Sequence, residues 1–108
     1  MATQHCPHGD LTLTFAGEWK VRHYELWARG NRDAAEAFGK DVSVGTMRLF
    51  GCIALCDRIE GELAGASPGD WPLEVYNWII DTVYHDSFAR ALHPEKNSSS
   101  PAPITPAA

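Results

Sequence analysis

Basic residues are scarce in this chain. Nine Lys and Arg stand against fourteen Asp and Glu, leaving a net charge of −5. A domain that grips nucleic acid by neutralising phosphates needs a basic patch. Here Lys20, Arg22, Arg29, Arg32 and Lys40 are interleaved with acidic residues, the pattern of a solvated face. No nucleic-acid partner is expected. Long hydrophobic runs are also missing. No stretch approaches the roughly 20 apolar residues that span a bilayer. The opening MATQHCPHGD lacks the apolar core of a secretory leader. Cysteines are few, odd in number and unevenly spaced, at Cys6, Cys52 and Cys56. That excludes a disulfide framework and points to a reducing, cytoplasmic setting without membrane attachment.

The signatures of common catalytic machinery are absent too. There is no G-x-S-x-G, P-loop, H-E-x-x-H or dinucleotide fingerprint. Tyr84, His85 and Asp86 are consecutive, and adjacent positions on a helix point apart. His23 and Glu25 meet the same objection, and His23 reads as a buried neighbour of Trp19. No catalytic residue and no cofactor is assigned, and the chain is not expected to be an enzyme. Zinc needs four N or S ligands in a tetrahedron. His5, Cys6, His8, Cys52 and Cys56 supply five candidates, without a C-x-x-C or H-x-x-x-H pair. Cys52 and Cys56 sit four apart in the most apolar segment, where a free thiol is commonly a small core residue. No metal site is assigned, and a small zinc protein stands as an alternative.

What is present is enough apolar residue for one core. The chain has 108 residues, 44% of them hydrophobic, which suits one domain rather than two. Residues 1–9 are polar, contain Pro7 and Gly9, and read as a flexible N-terminal arm. Leu11, Leu13 and Phe15 alternate with Thr12 and Thr14, the period of a short strand. From Glu18 the period becomes helical, with Trp19, His23, Leu26 and Trp27 on one face. Gly30 reads as a helix stop, Asn31 as the cap of a second short helix, and Gly39 as its end. Val42 to Leu63 reads as a broadly apolar helix, with Ser43 as a candidate cap. The loop AGASPGD follows, and Asp70 is a candidate cap for a last helix with Pro72 in its first turn. Leu73, Tyr76, Ile80, Tyr84 and Phe88 form its expected buried stripe, with Trp71 and Trp78 two turns apart. From His93 the chain is rich in Pro and Ser, with Ile104 its one large apolar residue. Such a segment cannot offset the entropy of ordering. The expected fold class is therefore mainly α. A helical domain at 10–92, with three to four helices and a short N-terminal strand, lies between the arm and a disordered tail at 93–108.

Four Trp residues are many for this length. Trp19, Trp27, Trp71 and Trp78, with Tyr24 and Tyr84, admit two readings, as core or as anchors for a partner or a second copy. Trp and Tyr anchor interfaces because they bury large area and keep a polar tip. The four Trp residues are the candidate partner-binding site.

The layout also carries a resemblance. A strand LTLTF leads through Gly17 into GEWKVRHYELW. The stretch DWPLEVYNWIIDTVY follows a loop, and the chain leaves the domain at HPEKN. Over roughly residues 11–97 this resembles the small tail assembly chaperones of long-tailed phages and prophages. The resemblance implies a mainly helical, non-catalytic helper in the cytoplasm of a bacterial host. It would coat the aggregation-prone tape measure protein before the tail tube polymerises. A long amphipathic helix is bound by laying its apolar face in an aromatic-lined groove. A second interpretation is a small acidic inhibitor from a mobile element.

Overall fold

A computed structural model describes residues 1–93. The tail expected at 93–108 lies, beyond His93, outside the described residues. The domain is mainly helical, as the apolar periodicity requires, and it holds more sheet than the sequence announces. β1 (Ala2–His5) and β2 (Thr12–Phe15) form an antiparallel hairpin, followed by α1 (Val21–Phe38) and α2 (Val44–Leu55). β3 (Cys56–Glu60) then returns to the other side of β2, giving the sheet order β1-β2-β3. Two short 3-10 turns, Glu62–Gly65 and Pro68–Asp70, lead to α3 (Leu73–Ile79). A π-helical stretch (Ile80–Phe88) and α4 (Ala89–Leu92) carry the same rod onward.

β1 corrects the reading of residues 1–9 as a loose arm. Ala2 pairs with Phe15 and His5 with Thr12. The Cys6 amide donates to the Leu11 carbonyl across 2.8 Å and closes the hairpin. Nothing in ATQH alternates, because its side chains lie at an edge, where burial sets no period. Leu11, Leu13 and Phe15 point into the core, as their alternation indicates, and are at most 4% exposed.

α1 runs through Gly30 instead of stopping there. Gly30 is buried at the crossing with α2, where an added Cβ would lie 2.5 Å from the Phe50 carbonyl oxygen. The residue is small so that two helices can approach. Asn31 caps nothing; its side-chain amide donates to the Trp27 carbonyl within the same helix. The helix ends at Gly39, whose φ of 96° is open to glycine and strained for other residues. It begins at Val21, later than the expected Glu18. There the Lys20 amide donates to His23 Nδ1 across 2.8 Å, which fixes the buried imidazole in place.

α2 starts as read, with the Ser43 hydroxyl accepting from the Thr46 amide across 3.1 Å. It ends at Leu55, eight residues before the expected Leu63. Cys56–Glu60 joins the sheet instead, with Ile59 opposite Leu13 and Arg58 opposite Thr14. Tertiary pairing with β2 overrides a local sequence compatible with either state. The core lies between the helices and the inner sheet face. It is built from Leu11, Leu13, Leu55, Val75, Ile79 and Val83, each nearly or wholly inaccessible.

In the last rod, the buried positions are Val75, Ile79, Ile80, Val83 and Phe88. The expected stripe is corrected at its first member, since Leu73 is 72% exposed, and Tyr76 and Tyr84 are half-buried. Val75, Ile79 and Val83, four apart, form the true inner face. Asp70 belongs to a 3-10 turn, and the residue before the helix is Pro72.

Candidate functional site

The four Trp residues do not form one site. Trp19 lies before α1, stacks near Phe15 and meets His23 and Phe88 edge-on. Its indole N–H donates to the Ser87 hydroxyl across 2.9 Å. Trp27 stacks on Tyr84 at 5.1 Å, and Arg48 covers that Tyr ring at 4.9 Å. Trp71 lies ahead of α3 rather than on it, and its N–H donates to the Leu63 carbonyl across 2.8 Å. Trp78 is half-buried against the core from within α3. All four rings are half-buried and packed on the core, with the N–H groups of Trp19 and Trp71 hydrogen-bonded.

One of the four, Trp71, also lines an open groove. The end of α1, the start of α2 and the start of α3 enclose about 400 Å³, walled by Phe38, Leu49, Phe50, Trp71, Leu73 and Tyr76. Phe38 meets Phe50 edge-on at 5.7 Å and is 53% exposed. Gly45 keeps the rim low, because a side chain there would collide with the Tyr76 hydroxyl. Leu73 projects into solvent. Phe38, Phe50 and Leu73 were missed as site residues because a core stripe and a groove wall have the same helical period. The available signal was Gly39, which ends α1, and Gly45, in the first turn of α2, where a side chain would meet Tyr76.

The ligand candidates for metal are apart in function. Cys6 is buried and its Sγ accepts from the His8 amide, while His5 Nδ1 meets the Thr12 hydroxyl on the sheet surface. The Cys56 thiol donates to the Cys52 carbonyl across 3.3 Å. Burial holds the Cys52 thiol far above its ordinary range, and burial with the neighbouring Asp57 charge pushes Cys56 up to about 12. Among the described residues, no group of three His, Cys, Asp or Glu side chains is placed to hold a metal ion. Likewise, no helix among them is long and apolar enough to cross a membrane.

No known family model, curated protein or solved structure matches the chain.

Proposed function

We propose that the domain is a non-catalytic binding protein that takes up an apolar helical segment of another protein. Within that class, the resemblance in layout favours a tail assembly chaperone acting on a tape measure protein. The observation that supports the reading is the open groove, with Phe38 and Leu73 exposed at its mouth. A groove of this size accepts one or two large side chains of an amphipathic helix. An acidic, net −5 exterior keeps such a complex soluble.

Calorimetric titration with amphipathic helical segments of a tape measure protein tests it. Binding is expected with a negative heat-capacity change, the mark of apolar burial. Leu73→Asp and Phe38→Asp should weaken it at least about tenfold, on the scale of an interface anchor. Binding indifferent to both substitutions, or none, overturns the reading. The net charge of −5 favours an acidic inhibitor as the second reading. Capture of a basic protein that is lost between about 50 and 200 mM salt would select it.

A further inference from the structure

The sheet has two outer strands, and they differ in chemistry. β1 carries no Asp, Glu, Lys or Arg. β3 carries Asp57, Arg58 and Glu60, all exposed. Its far edge meets no strand among the described residues. Arg58 lies opposite Thr14 and Glu60 opposite Thr12, on the sheet face away from the core. Neither side chain has an ion pair or hydrogen bond with another described residue. Ile59, half-buried opposite Leu13, lies on the helix-covered face.

Charges on an edge normally exclude foreign strands. Here they also select a partner. Two copies of β3 can pair antiparallel about a two-fold axis perpendicular to the sheet, which keeps both helix layers on one side. Outward-pointing backbone groups alternate along a strand, so residues of the same parity must face each other and the axis must pass through a residue. The bulge at Asp57 limits regular pairing to residues 58–60, and an axis at Arg58 or Glu60 sets that charge directly against its own copy, which is unfavourable. An axis at Ile59 sets Arg58 against Glu60 of the second copy, twice, while Asp57, bulged out between the Arg58 and Cys56 pairs, and Gly61, beyond the end of β3, take no part in the ladder. Ile59 then faces Ile59 on the apolar side.

We infer that a second copy of this chain docks on β3 in this register, building a six-stranded sheet across the dimer. The inference is independent of the groove, which lies at the helix ends. Three paired residues per strand make a small interface, so dissociation in the range of about 10–500 µM is expected.

Sedimentation equilibrium of the full chain at 50 mM salt tests it. The wild-type protein should dimerise over that range. Arg58→Glu and Glu60→Arg should each raise the dissociation constant about tenfold or more, since each turns two attractive pairs into two repulsive ones. The double swap should restore it to within about threefold. Asp57→Lys, at the bulge outside the ladder, should leave it within about threefold. All three sites are exposed, and far-UV circular dichroism checks that the variants remain folded. A wild-type monomer up to about 1 mM overturns the inference. So does a dimer that the single charge reversals leave intact, which would place the contact on another face.

Discussion

The ring of Trp27 occupies the space that a side chain at Gly51 would need. A Cβ added there would lie 2.5 Å from Trp27 Cε3. Trp27 has little room to yield, since Tyr84 stacks on it and Phe88 packs beside it. Alanine normally gains about 1 kcal/mol over glycine inside a helix. Overpacking should exceed that gain, so Gly51→Ala is expected to lose about 1–3 kcal/mol net. Gly30→Ala should lose more, because it meets the Phe50 backbone rather than a side chain. Urea denaturation of both variants checks the order.

Trp19 and Ser87, 68 positions apart, tie the segment before α1 to the π-helical stretch. Trp19→Phe with Ser87→Ala should show a coupling of about 0.5–1.5 kcal/mol in a double-mutant cycle. Trp19→Ala should cost about 2–4 kcal/mol through lost packing. Leu73→Ala, at a mostly exposed position, should change stability by less than about 0.5 kcal/mol. A large loss at Leu73 in thermal melts would show that it supports the core.

His23 accepts the Lys20 amide and supports the Trp19 ring. His23→Ala leaves that amide without its partner and removes a buried ring. A loss of about 1–3 kcal/mol is expected. His23→Gln, whose side-chain carbonyl can accept the same amide, should lose less. Equal losses in chemical denaturation would show that packing alone matters.

The buried thiols make stability sensitive to alkali. An acid whose folded value is raised favours the folded state while protonated. For Cys56 the contribution is fully present below its unfolded value of 9.0 and is lost as pH rises through about 12. Cys52, displaced further in the same direction, adds to the loss. Thermal melts between pH 8 and 11 should show a steeper decline for the wild type than for Cys56→Ser. Parallel curves would mean that the thiol ionises freely in the folded protein.

The mainly helical character was legible because Trp19, His23, Leu26 and Trp27, and later Tyr76, Ile80, Tyr84 and Phe88, recur at helical intervals. β2 was legible from strict alternation, and the start of α2 from Ser43. β1 was hidden because Thr3, Gln4 and His5 are all exposed and leave no hydrophobic trace. β3 was hidden because Cys56 and Ile59 fit a helical stripe as well as a strand, and only β2 decides between them. Gly30 misled because a glycine at a helix crossing and one at a helix end look alike in sequence. The aromatic anchors were rightly seen as abundant, but their number says nothing of direction. Trp19 and Trp71 spend their N–H groups inside the fold, and the exposed groove walls include Phe38 and Leu73.

The position of β2 between a neighbour and a distant strand has a consequence for synthesis. Thr12 emerges early, while its partner Glu60 follows about 48 residues later. At roughly 5–20 residues per second, β2 waits about 2–10 s for that partner. Through that interval the hairpin presents Leu11, Leu13 and Phe15 with neither β3 nor the C-terminal rod to cover them. The nascent chain is therefore most open to aggregation before residue 60 has left the ribosome, and a translational pause there would prolong that exposure.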